Sequence, residues 1–225
     1  MKNYNKNLKL LTQNHVYSEE MEHDACGVGL IASTEGKKSR TVVEYGIQAL
    51  KAVWHRGAVD ADGKTGDGAG IHLEIPKEFF IEKIQVTGHD YDNSEICIGM
   101  IFLPRNDYSS QESSKTIVES ELTKNNFSIY GWRQVPVNPK VLGEKAFQTM
   151  PEIIQVLFKS NDSNLLDKDL ERKIYETRKK IEIEADDLSL NNFYICSMSS
   201  KSIIYKGMFL ACLLYTSDAA DDLVC

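Results

Sequence analysis

Cys26, in the run His23-Asp24-Ala25-Cys26-Gly27-Val28-Gly29-Leu30-Ile31, is the residue of this chain best placed to do chemistry. A thiol attacks as its thiolate and therefore needs a base. Cleavage between Ala25 and Cys26 would supply one on the same residue: a free α-amine, which titrates near about pH 7.7–8.0. A buried structural cysteine is the plainer reading of such a residue standing alone. A second group stands at Arg56, within His55-Arg56-Gly57. Its guanidinium could grip a carboxylate through two parallel hydrogen bonds. The plainer alternative is a basic helix end that Gly57 caps.

A third feature is the glycine run Thr65-Gly66-Asp67-Gly68-Ala69-Gly70. Its bare backbone suits a tight turn at positive φ, and it would also allow close approach to a substrate. A dinucleotide loop needs its glycines after a strand and opening a helix. Here they precede a strand, and no Walker Lys-Ser/Thr pair follows. His23 and His72 show no ligand spacing with another His or Cys, so no metal site is expected.

The pattern of apolar residues gives the elements that must position these groups. Gly27 to Ser33 reads as a short buried strand, followed by a turn at Gly36-Lys37-Lys38. Ser39 offers an N-cap to a helix carrying Val42, Val43, Gly46, Ala49, Leu50 and Val53 up to Trp54, with Gly57 as its stop. The glycine run leads into an alternating strand, Ile71 to Ile75, that Pro76 ends. Lys77 to Ile84 reads as a short helix, Ile96 to Leu103 as a strand and Ser110 to Asn125 as a helix. Phe127 to Val137 and Ile153 to Phe158 read as strands. Leu165 to Glu184 gives the longest helix, with Leu166, Leu170, Ile174, Tyr175 and Ile181 on one side. Arg178-Lys179-Lys180 reads as one of its exposed turns. Phe193 to Met198 and Ser202 to Tyr205 read as a hairpin-like pair around Ser199-Ser200-Lys201. This mixture predicts an α+β or layered α/β domain.

The 225 residues suffice for one large domain with a real core. A hydrophobic share of 42% and a charged share of 26% are ordinary for a soluble globular protein. The net charge of −7 disfavours nucleic acid or an anionic membrane as a partner. The five cysteines, at 26, 97, 196, 212 and 225, form no CxxC-type pair and no even framework, which fits a reducing cytoplasm. Leu8-Lys9-Leu10-Leu11 is too short for the apolar centre of a signal peptide, and His23 is not the small residue that signal cleavage requires. No stretch reaches the ~18 apolar residues of a membrane span.

The blocks Asp24-Ala25-Cys26-Gly27-Val28-Gly29, His55-Arg56-Gly57-Ala58, Ala61-Asp62, and Thr65 to Gly70 with Ile75-Pro76 share an order and spacing with a known family. Together with Tyr130-Gly131-Trp132-Arg133-Gln134-Val135-Pro136-Val137 and Ser197 to Met208, they resemble the class-II glutamine amidotransferase domain at the N-terminus of glutamate synthase large subunits. The resemblance covers about positions 15 to 210.

It implies an α+β fold, a four-layer αββα sandwich of the N-terminal-nucleophile hydrolase type, here incomplete at its C-terminal end. It also implies that Cys26 is the catalytic nucleophile, that Arg56 and Gly57 bind glutamine, and that Gly66, Asp67 and Gly68 form an active-site loop. Residues 1–25 would be a propeptide or leader and 26–211 a partial amidotransferase domain. Residues 212–225 resemble translated adaptor sequence at the ends of truncated gene models and are expected to be a non-native tail. The partners implied are glutamine, C-terminal synthase domains beyond this chain and a small electron-transfer subunit. No cofactor is expected within the chain itself; FMN and an iron–sulfur cluster are implied for the longer enzyme, with NADPH, NADH or ferredoxin as electron donor.

Two alternatives stay open. A class-II amidotransferase serving another acceptor, such as a sugar phosphate or phosphoribosyl diphosphate, would show a different block after the arginine. A catalytically inert binding or regulatory domain would account for the lack of a His-Asn-Gly-Glu-type segment, the family's source of oxyanion donors. Losing one such donor costs on the order of 10²–10³ in rate, so the chain alone is expected to be nearly inactive.

Overall fold

The computed structural model describes Lys6 and residues 27–53, 59–165, 167–211, 214–216 and 223–224. Helix α1 (Arg40–Ala52) starts where Ser39 Oγ accepts the amide of Val42 at 3.4 Å, as the sequence predicts. The glycine run then leads into β1 (Ala69–Glu74), and α2 (Lys77–Val86) follows directly after Pro76. Strand β2 (Cys97–Leu103) precedes α3 (Tyr108–Lys124), whose N-cap, Asp107, accepts from the Ser110 amide. After β3 (Phe127–Gln134) come a 3-10 turn (Pro139–Val141), the short α4 (Glu144–Gln148) and β4 (Glu152–Ser160). The long helix α5 (Asp167–Asp187) leads to β5 (Tyr194–Ser199) and β6 (Ser202–Gly207). Two-residue strands β7 (Tyr215–Thr216) and β8 (Leu223–Val224) pair with each other.

The strands form a four-stranded antiparallel sheet in the order β3-β4-β2-β5 and a two-stranded antiparallel sheet of β1 and β6. Strict alternation along β2 and β4 sends side chains to two separate cores. Cys97, Ile101, Leu103, Ile154, Val156 and Phe158 pack against Ile117, Val118 and Leu122 of α3 and Leu170, Ile174 and Ile181 of α5. On the other face, Ile98, Met100 and Leu157 meet Ile203 and Tyr205 of β6 and Phe79, Phe80 and Ile84 of α2. The result is an α+β sandwich: two helices, a four-stranded sheet, and a two-stranded sheet that α1 meets where Gly46 lies against Ile71.

Four expectations need correction. Gly27 to Ser33 forms no strand; Val28 and Leu30 are 93% and 89% exposed. Alternating apolar residues become a strand only against a ladder partner, and none of the described residues pairs with them. Second, β5 and β6 are not a hairpin. β5 pairs with β2 and β6 with β1, so the link Ser199-Ser200-Lys201 carries the chain from one sheet to the other. The Glu171 carboxylate of α5 fixes that crossing by accepting from Ser199 Oγ at 2.9 Å, Ser200 Oγ at 2.7 Å and the Ser200 amide at 2.6 Å. Third, Tyr175 points outward, 58% exposed, while Thr177 takes an inner position of α5 at 0%. Thr177 satisfies its hydroxyl on the Lys173 carbonyl one turn back. Fourth, Arg178 is not simply an exposed cation: its Nη2 donates to the Ile195 carbonyl of β5 at 2.7 Å.

Candidate functional site

The glycine run and the end of β6 pack backbone to backbone. In the antiparallel register Ala69 faces Gly207 and Gly70 faces Lys206. A Cβ placed on Gly70 would lie 2.8 Å from both Lys206 Cβ and the Tyr205 carbonyl oxygen. Gly68 adopts φ +121°, a conformation that L side chains rarely take. Of the readings open for this run, the tight turn at positive φ is present at Gly68. The close approach that its bare backbone permits is to the chain's own β6 and the Phe209-Leu210 segment after it.

A cleft of about 1230 Å³ opens at this edge of the sandwich. Gly66 to His72 form one wall, and Ile204 with Lys206 to Ala211 form the next. A third wall comes from Val137 to Pro139, Leu142, Ala146 and Thr149 to Pro151 around α4. The expected loop residues Gly66, Asp67 and Gly68 thus line the cleft together. The expected nucleophile Cys26 and the expected glutamine-binding pair Arg56 and Gly57 lie outside the described residues. Gly27, which follows Cys26, and Val53, three residues before Arg56, both line this same cleft. His72 lines it as well, exposed and on the outward face of β1.

Two features at the cleft's edge rest on contacts that the motif blocks alone do not show. The first is the turn that holds the glycine run in place. Asp62 Oδ1 accepts the amides of Lys64 at 2.9 Å and Thr65 at 2.7 Å, and Asp62 Oδ2 accepts Thr65 Oγ1 at 2.5 Å. These hydrogen bonds, led by the Thr65 hydroxyl, stabilise the carboxylate and lower its pKa to about 2. Asp60 is held below the ordinary carboxylate range chiefly by Lys145 of α4, whose Nζ donates to it at 2.5 Å. The turn is therefore tied to the opposite wall. An Asp-Gly-Lys-Thr sequence signals the turn, but nothing local signals a partner 85 residues away.

The second feature is a cation beside an aromatic ring. Lys206 Nζ donates to the Tyr194 hydroxyl at 2.7 Å and sits 4.5 Å from a ring centroid of the same residue. The arrangement places positive charge on a wall otherwise dominated by backbone and apolar groups.

Among the described residues no three His, Cys, Asp or Glu side chains converge as a metal site. Cys97 and Cys196 are buried in separate cores, where burial pushes both thiols up and disfavours the reactive thiolate. No described helix is long and apolar enough to cross a membrane.

Comparison with known proteins adds three findings. The family described as class-II glutamine amidotransferases matches residues 26–221. The glutamate synthase (NADPH) large chain of Azospirillum brasilense is 51% identical over 208 residues, spanning 92% of this chain and 14% of that protein. Ferredoxin-dependent glutamate synthases of Pyropia yezoensis and Spinacia oleracea are 39% and 38% identical, over 92% and 83% of this chain and 13% and 12% of theirs. The chain thus spans about a seventh of the length of these curated relatives.

Proposed function

The chain belongs to the class-II glutamine amidotransferases, and from that premise we propose that it is the glutaminase part of a glutamate synthase. Removal of residues 1–25 would leave Cys26 as the first residue. Its thiolate attacks the γ-carboxamide carbon of glutamine, while its own α-amine takes the thiol proton. The tetrahedral adduct collapses to a thioester as the C–N bond breaks, and the protonated α-amine gives its proton to the departing ammonia. Water, deprotonated by the same amine, then cleaves the thioester to release glutamate and the free thiol. Arg56 grips the substrate α-carboxylate in bidentate fashion, with Gly57 leaving room beside it. Gly66, Asp67 and Gly68 form one wall of the binding cleft.

The observation that carries this reading is that Gly27 (next to Cys26), Val53 (three residues before Arg56) and the glycine run Gly66 to Gly70 line one cleft. In the proposed whole enzyme the ammonia passes to synthase domains outside this chain, which use it to make glutamate from 2-oxoglutarate. FMN and an iron–sulfur cluster would belong to those domains. The described cysteines and acids do not fit a cluster, so no step here runs through one. A reducing cytoplasm suits the thiol chemistry.

The test is glutamine hydrolysis by the full-length protein. Cys26→Ala is expected to lower the rate by on the order of 10⁴-fold or more while leaving the fold intact. Unchanged hydrolysis would refute the role of Cys26. The inert-domain reading rests on the missing Asn-Gly oxyanion segment, and it predicts no hydrolysis from the unsubstituted full-length protein.

A further inference from the structure

Gln155 is a polar side chain at the centre of β4, 0% exposed, on the face that packs against the second sheet. Its neighbours on that face, Ile153 and Leu157, are apolar, and the alternation calls for a third apolar residue. An amide in such a place costs free energy unless its groups are paired. Both ends of this one are paired. Oε1 accepts from Arg133 Nη1 of β3 at 2.7 Å, and Nε2 donates to the Tyr205 hydroxyl of β6 at 3.3 Å.

The two partners lead to two different walls of the cleft. Tyr205 faces Ile71 in the β1–β6 ladder, its carbonyl is one of the atoms against which Gly70 is packed, and Lys206 to Ala211 follow it. Arg133 lies over the Phe79 ring at 5.1 Å and stands near the end of β3, just before the cleft residues Val137 to Pro139. The close approach at Gly70 leaves no slack, so a displacement of Tyr205 must move the glycine run with it.

We propose that Gln155 is a positioning residue that sets the spacing between the β6 wall and the β3 wall, and through it the affinity of the cleft for glutamine. It touches no substrate. An apolar residue of similar size would fill the volume yet remove the one side chain that Tyr205 and Arg133 both bond, loosening the coupling between the two walls. The inference rests on the glutaminase reading given above.

The experiment measures glutamine hydrolysis by the full-length enzyme carrying Gln155→Leu, Tyr205→Phe or both. Thr177→Val, which removes a buried hydrogen bond of α5 remote from the cleft, serves as the control. Gln155→Leu is expected to raise KM for glutamine about tenfold with kcat changed less than about threefold, because the effect falls on binding geometry. Tyr205→Phe should give a smaller rise in KM, and the double variant should be no worse than Gln155→Leu alone, since both break one link. Thr177→Val should lower the melting temperature without moving KM. A KM for Gln155→Leu within about twofold of the unsubstituted enzyme would overturn the proposal. So would an equal KM shift in Thr177→Val or full additivity in the double variant. If Gln155→Leu does not fold, the KM of Tyr205→Phe decides by itself. An unsubstituted enzyme that hydrolyses no glutamine would overturn the functional reading as well, whereas an active one with unmoved KM values overturns this inference alone.

Discussion

The four-stranded sheet buries both of its faces, whereas the two-stranded sheet buries one and leaves Gly70, His72 and Glu74 exposed on the other. In the first region side-chain volume decides most positions: Phe158 and Phe127 meet edge to face at 5.3 Å, and the face toward α3 and α5 is filled by large aliphatic and aromatic residues. In the second region the absence of side chains decides. Gly66 and Gly70 let backbones touch, and the space left at the edge is the cleft. The contrast separates a part of the molecule specified by packing from a part specified by backbone approach, and it predicts that the two will fail differently.

The largest loss of stability should come from the packed region. Phe158→Ala removes a fully buried ring between β4 and the α3–α5 layer, which costs about 3–5 kcal/mol, transfer and cavity together. Chemical denaturation measures it, and a loss below about 1 kcal/mol would show that the helical layer does not depend on this packing. Gly70→Ala should cost less globally and more locally. Its new methyl meets the Tyr205 carbonyl oxygen and Lys206 Cβ, neither of which can rotate away, so about 1–3 kcal/mol of strain falls on the β1–β6 ladder. Hydrogen exchange should speed in β1 and β6 and stay slow in β2 and β4. Uniform speeding in both sheets would break the distinction.

The smallest effect belongs to the turn before the glycine run. Asp62 has its folded pKa lowered from 3.8 to about 2, so it contributes stability above its unfolded value. That contribution is lost as pH falls from about 4 toward 2, when the protonated carboxyl can no longer accept both amides and the Thr65 hydroxyl. The expected outcome is a loosening of residues 60–65 in that window, seen by exchange or by the Thr65 amide resonance, and absent in Asp62→Asn. A transition near pH 6 would contradict the assignment.

Local patterns in the sequence account for the packed region well. The apolar runs of β2 and β4 and the helical spacing of α3 and α5 each depend on residues close in the chain, and all four elements form where those patterns place them. Ser39 as an N-cap is equally local. What periodicity does not encode is the partner of a strand. It therefore mistakes the β5–β6 crossing between sheets for a hairpin, and it counts Gly27 to Ser33 as a strand although that segment has no ladder among the described residues. The same limit hides the links that shape the cleft. Gln155 to Tyr205 spans 50 positions and Lys145 to Asp60 spans 85. The glycine run was legible as a special segment, yet its contact with β6 is a matter of tertiary register. The blocks holding Cys26 and Arg56 are legible through residue types and family resemblance rather than through any local conformation.

The central claim is that Cys26 becomes the N-terminal nucleophile beside this cleft. The most direct measurement is N-terminal sequencing of the catalytically active full-length protein, followed by mapping of the site labelled by a glutamine-mimicking electrophile. The account predicts a chain that starts at Cys26 and carries one label per active site on that residue. An active protein that still starts at Met1, or a label found only elsewhere, would contradict it.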